Sequence, residues 1–171
     1  MTISMHSASV PIFARMLGNL LTWLDKAEAH AIARKFDPSV YLASRLAPDM
    51  LPFTNQIQIA SDGAKGCIAR LTGTEIPKWE DNEKTLDDLR GRIRKTIDYV
   101  QSVSEAQFAD ADTREVLLPR RTGDPVKFTG ENFLKQFALP NFYFHATTAY
   151  DIIRQCGVEV GKRDFMGSPP A

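Results

Sequence analysis

Apolar residues fall into four long blocks at a spacing of three to four positions, the signature of helices that each bury one face. From Ser4 to Ala29 the stripe reads Met5, Val10, Ile12, Phe13, Met16, Leu17, Leu20, Trp23 and Leu24, with Arg15, Asn19, Asp25 and Lys26 between. Pro11 either bends this helix by removing a backbone donor or occupies the first turn of its main part. "KFDPSVYLASRLAPD" predicts a connector with a short helical piece, because Asp37 can cap and Pro38 suits a first helical position.

A second helix is expected from near Leu51 to Leu71, its stripe formed by Phe53, Ile57, Ala60, Ala64, Cys67, Ile68 and Leu71, with Gly73 at its end. Small residues on that stripe would let a neighbouring helix come close. "GTEIPKWEDNEK" is a polar, turn-rich bridge, after which Thr85 and Asp88 have the spacing of a capping box for a third helix. Leu86, Leu89, Ile93, Ile97 and Val100 form its stripe, and the run Arg90, Arg92, Arg94, Lys95 is most simply a solvated face. Ser104 and Gln107 repeat the capping pattern for a short extra turn.

"EVLLPRRTGDPVKFTG" is different in kind. Two β-prone runs flank Thr-Gly-Asp-Pro turn chemistry, which predicts a β-hairpin. Thr129 then caps a last helix running to Cys156, with Glu131 in its first turn, a kink allowed at Pro140 and Gly157 just past its end. Beyond it, Val158, Val160, Phe165 and Met166 equip the tail to fold back over the bundle or to reach a neighbouring subunit. Four long helices, each with one apolar side, are best buried against one another, so the expected architecture is an all-α four-helix bundle with a short hairpin before the last helix.

The 171 residues and 43% hydrophobic content suit a single domain spanning 1–171, enough to bury roughly 70% of its extended surface. Lys+Arg and Asp+Glu are both 21, so no net field draws the chain to nucleic acid or to an anionic membrane, and neither is expected as a partner. Cys67 and Cys156 lack metal-knuckle spacing and read as buried free thiols. "MTISMHSASV" has no basic-then-apolar leader pattern, and Arg15 and Asn19 interrupt the first helix, which points to a cytoplasmic protein. Phosphate-cradling glycine loops, nucleophile elbows and dinucleotide fingerprints do not occur. Tyr150 and Asp151 are sequence neighbours that point apart on a helix, so they do not form an acid–base pair.

Chemistry concentrates in "LPNFYFHATTAYDIIRQCGV", residues 139–158. Continuing the helical period, the inward stripe reads Leu134, Phe137, Asn141, His145, Thr148, Ile152, which places polar groups among apolar ones. Left unpaired, each would cost about 1–3 kcal/mol. "NQIQIASD" in the second helix offers Asn55, Gln56, Gln58 and Asp62 as partners. His30, in a charged run, reads as solvated, and His6 is placed to reach the mouth of such a site.

The helix content, the hairpin position and the ending "AYDIIRQCGVEVGKRDFMG" resemble the DinB/YfiT-like superfamily of four-helix bundles, and "LPNFYFH", "APDMLPF" and "QIQIASD" resemble one branch of it whose function is unknown. Metal-binding members use one histidine from the second helix and an H-x-x-x-H pair from the fourth. The resemblance places His145 on the second histidine of that pair and Asn141 on the first, with Gln58, or less favourably Gln56, at the second-helix position. Two of three imidazoles are thereby carboxamides, which bind zinc or nickel far more weakly, so neither metal nor other cofactor is expected. Three functional readings remain. The leading one is binding of a small molecule in a polar bundle-centre pocket lined by His145, Asn141, Gln58 and Asp62. The second is a metal-dependent enzyme like the thiol transferases and isomerases of the superfamily, with a site modified around His145 and Asp62. The third is an interaction module whose polar island only fixes helix register. The resemblance also implies a homodimer.

Overall fold

The computed structural model describes residues 3–167. Its long helices are α1 (Val10–Arg34), α2 (Phe53–Thr72) and α3 (Leu86–Gln101), followed by the antiparallel strands β1 (Glu115–Leu118) and β2 (Val126–Thr129). The last long helix is built in series from α4 (Gly130–Phe133), a π-helical turn (Leu134–Ala138) and α5 (Leu139–Gln155), and a short α6 (Lys162–Met166) ends the described chain. This is the expected helical bundle with a hairpin. None of its described helices is long and apolar enough to cross a membrane.

α1 starts at Val10, later than the apolar stripe alone predicts. Ser4 and Ser7 bond each other's backbone and side chains in a local turn, a side-chain alternative to helix, and Pro11 then takes the first helical turn, where its missing N–H costs nothing. The capping signals hold: Asp37 accepts from Ser39 N–H, Thr85 and Asp88 close a capping box, and Thr129 accepts from Asn132 N–H. α2 ends on Gly73 in the left-handed region, φ 70°.

Aromatic and ionic contacts give the helix directions. Phe13 meets Phe142 and Trp23 meets Tyr150, with ring centroids 4.8 and 5.3 Å apart, so α1 and α5 run parallel. Gln56 meets His145 and Arg70 lies over Phe133, so α2 runs antiparallel to the last helix. Asp62 meets Arg92, and Lys65 and Lys95 flank the ring of Trp79, so α2 and α3 run parallel. Parallel neighbours need a connector that returns the length of the bundle, and the bridge between Gly73 and Thr85 is that connector.

Its anchorage corrects the reading of the arginine run. Arg92 is 4% exposed and bonds Asp62 of α2 together with Asp81 and Glu83 of the bridge, each at 2.8 Å. Arg90, also buried, bonds Asp25 and Glu28 of α1 and Asp87 of its own helix. Only Arg94 and Lys95 of that run are exposed. Burial alone would raise the Glu83 carboxyl, but hydrogen bonds from Gln58 and Arg92 and the guanidinium charge outweigh it and hold Glu83 below the usual carboxylate range.

Two other expectations change, and of the two readings of the tail one is observed. Cys67 is buried, with its thiol pushed up by desolvation, whereas Cys156 is exposed at the end of α5 because the chain turns away there at Gly157. His30 is half-buried rather than solvated: its Nδ1 lies 2.6 Å from the hydroxyl of buried Tyr41, and Phe36 packs edge-on against its ring. The tail folds back, with Phe165 stacked on Trp23, the Trp23 indole N–H donating to Asp164 O, and Lys26 paired to the Asp164 carboxylate.

Removing Arg92 takes the cation from Asp81 and from the almost inaccessible Glu83, and leaves Asp62 to Lys65 alone. Arg92→Met is expected to lower the free energy of unfolding by about 3 kcal/mol, while Arg94→Met stays within about 0.5 kcal/mol. Urea-unfolding midpoints of the two variants check this contrast.

Candidate functional site

The π turn decides which side chains of the last helix face α2. Pro140 has no N–H to give a regular helical bond, and the Leu139 N–H reaches back five residues to Leu134 O. The extra residue advances the helix phase by roughly 100°. Ala138 therefore takes the buried place expected of Phe137, which is 41% exposed. Beyond the turn, Phe142, Ala146, Ala149 and Ile153 form the core face. Asn141 and His145 fall on its flank, both half-buried and directed at α2 rather than at the bundle axis.

The residues of α2 divide by the same rule. Phe53, Ile57, Ala60 and Ala64 face the core. On one flank Gln56, Gly63 and Arg70 recur every seven residues and look toward the last helix. On the other, the Gln58 amide donates to Glu83 and accepts from Asn55, while Asp62 pairs with Arg92 and Lys65. Two of the four residues expected to line the site, Gln58 and Asp62, thus belong to the anchorage of the bridge, and Gln56 stands opposite His145 instead. His6 is also elsewhere, edge-on against Phe108.

On the α2–α5 seam, in the first turn of α2, His145 Nδ1 and Gln56 Oε1 are 2.7 Å apart, and the Gln56 amide nitrogen donates to Leu51 O at 2.8 Å. The Leu51 carbonyl can only accept, which orients the carboxamide with its nitrogen toward Leu51 and its oxygen toward the imidazole. That oxygen also only accepts, so Nδ1 carries the proton and donates it, and the neutral ring presents a lone pair at Nε2. Burial holds the His145 pKa below its ordinary value, which favours this neutral form. Neither Nε2 nor the Asn141 carboxamide makes a hydrogen bond among the described residues, and Asn141 lies over Gly63, where an added Cβ would sit 3.5 Å from its nitrogen. Phe144, 58% exposed, meets the His145 ring edge-on at 5.2 Å.

This donor set does not fit a three-imidazole metal centre. Gln56 has both ends engaged, which leaves one imidazole nitrogen and one neutral amide oxygen to face an ion. Among the described residues no group of three or more His, Cys, Asp or Glu is placed to hold a metal. The arrangement can instead accept a proton-bearing group at Nε2 and give or accept a hydrogen bond through Asn141. Reading the sequence alone misses Arg70, although its seven-residue spacing from Gly63 and Gln56 is visible there.

No curated protein matches the chain. A crystal structure of a DinB family member protein from Shewanella denitrificans is 46% identical, covers 97% of this chain and 93% of its own, and superposes with a TM-score of 0.90. The family model described as a domain of unknown function, DUF1993, matches residues 5–166, so the chain belongs to that family, a branch of the DinB-like superfamily whose function is unknown.

Proposed function

We propose that this protein binds a small polar molecule on the α2–α5 seam, through His145 Nε2 and the Asn141 carboxamide, without a catalytic metal. The observation that supports this most is the Leu51–Gln56–His145 chain. Two acceptor-only oxygens fix one tautomer and leave Nε2 as an oriented acceptor beside an unpaired amide. A hydrogen-bond network that served only to lock helix register would consume its members. Here both ends of the Gln56 carboxamide are engaged, while Nε2 and the Asn141 carboxamide, on half-buried residues, make no hydrogen bond among the described residues. The ligand therefore brings an O–H or N–H for Nε2 and a second polar group for Asn141, and the half-exposed rings of Phe137 and Phe144 supply apolar contact.

A fragment screen followed by NMR tests this. Hits are expected to shift the Asn141 side-chain amide and the His145 ring signals, and to lose most of their affinity in His145→Ala. Hits that cluster elsewhere and ignore that substitution would sink the reading. Zinc titration gives an independent check. Sub-stoichiometric zinc uptake is expected, whereas one tightly held ion per chain, lost in His145→Ala, would restore the metalloenzyme interpretation.

The depressed His145 pKa also has a sign. The folded state prefers the neutral ring, so its contribution is fully present above the unfolded value of about 6.5 and is lost as pH falls toward the folded value. The stability difference between wild type and His145→Gln should therefore shrink on acidification from neutral pH, as read by urea midpoints at a series of pH values. Gln56→Glu should reverse the shift, because a carboxylate accepting from Nδ1–H favours the imidazolium. An NMR titration of His145 reports it directly.

A further inference from the structure

Arg70 differs from the two buried arginines of α3. Arg90 and Arg92 each bond two or more carboxylates, but Arg70, half-buried and close to the C-terminal end of α2, forms no ion pair among the described residues. Its Nη1 donates to Gly66 O at 3.0 Å, and the guanidinium lies over the Phe133 ring, 5.9 Å from its centroid. That leaves most of its five N–H donors unmatched by protein acceptors.

Its position is also specific. Long helical side chains lean toward the N-terminus, and the Arg70 head comes to lie where a side chain on Gly66 would be: an added Cβ there would meet Nη1 at 2.7 Å. Asn141 occupies the matching place over Gly63, three residues along the same helix. The guanidinium and the carboxamide therefore hang over neighbouring positions of one helix face, with His145 one turn beyond Asn141. From Gly66 to Gly63 and on from Asn141 to His145 is seven residues of rise, roughly 10 Å. Phe137, exposed and stacked on Phe133 at 5.9 Å, borders the interval.

We infer that Arg70 is the anion-binding end of this seam, and that the ligand taken there is an organic carboxylate whose far end offers a hydroxyl or N–H to His145 Nε2. The inference rests on the seam being the ligand site. One guanidinium matches the single charge and the planar shape of a carboxylate in a two-pronged contact, which makes an organic carboxylate the simplest anion for this group to take.

A matched set of probes tests the charge separately from the site. Para-hydroxyphenylacetate carries a carboxylate and a hydroxyl across one aromatic ring, para-hydroxyphenylacetamide lacks the charge, and phenylacetate lacks the donor. Each is titrated into the full chain and followed by NMR, in wild type, Arg70→Gln and His145→Ala. The acid is expected to bind at least about tenfold more tightly than the amide. Arg70→Gln should reduce the acid to the amide's affinity without changing the amide, and phenylacetate should be insensitive to His145→Ala. An acid no tighter than the amide, or an Arg70→Gln effect equal on both, overturns the anion assignment, while binding that still depends on His145 leaves the seam reading intact. Absence of binding by all three overturns the carboxylate inference, and the seam itself is then decided by the fragment screen. The acid-to-amide ratio in wild type does not depend on the folding of any variant.

Discussion

Two adjacent helices that point the same way cannot be joined by a short turn, and much of this molecule follows from that constraint on α2 and α3. The connector must travel back along the bundle as exposed, polar chain, and such a segment has too little apolar surface to hold itself in place. Arg92 solves this by burying its guanidinium among Asp62, Asp81 and Glu83, while Trp79 inserts between Lys65 and Lys95. Once one flank of α2 is committed to that anchorage, the polar residues available to the last helix are those of the opposite flank, Gln56 and Arg70. The composition of the candidate site is thus partly a consequence of the topology.

Bundle, hairpin and most helix ends were legible in the sequence because their signals are local. Thr85 with Asp88, Asp37 before Pro38 and Gly73 after Thr72 each act within one turn of chain, and the structure places them as that chemistry requires. The burial of Arg90 and Arg92 was not legible. Whether an arginine on a helix faces water or a carboxylate depends on what packs against it, and here the partners come from α1, α2 and the bridge. The stripe of the last helix failed at Phe137 for a different reason. An unbroken period of 3.6 carries phase correctly only through regular helix, and the π turn ahead of Pro140 inserts a residue.

The second-helix partner of His145 shows the same limit at finer scale. Gln56 and Gln58 are two positions apart, which on a helix puts them on opposite flanks, so a shift of two residues in phase puts one in the place of the other. Periodicity with larger steps is more robust. Gln56, Gly63 and Arg70 stay within one narrow sector over two heptads, and Gln58, Asp62 and Lys65 keep to a sector on the other side.

A carboxamide at Gln56 does something for His145 that an imidazole in its place would not. A second-helix histidine and His145 would both offer ring nitrogens to one centre, and each would need a partner on its other nitrogen. A carboxamide at Gln56 becomes that partner instead: it takes the Nδ1 proton and passes its own hydrogen bond to Leu51 O. Gln56 thereby sets the tautomer of His145. The result is a single neutral ring nitrogen of fixed direction at a half-exposed helix seam. Such a nitrogen distinguishes donors from acceptors without carrying charge, so discrimination by charge has to come from elsewhere along the seam. Arg70 is the group of suitable chemistry two heptads from Gln56 on the same flank.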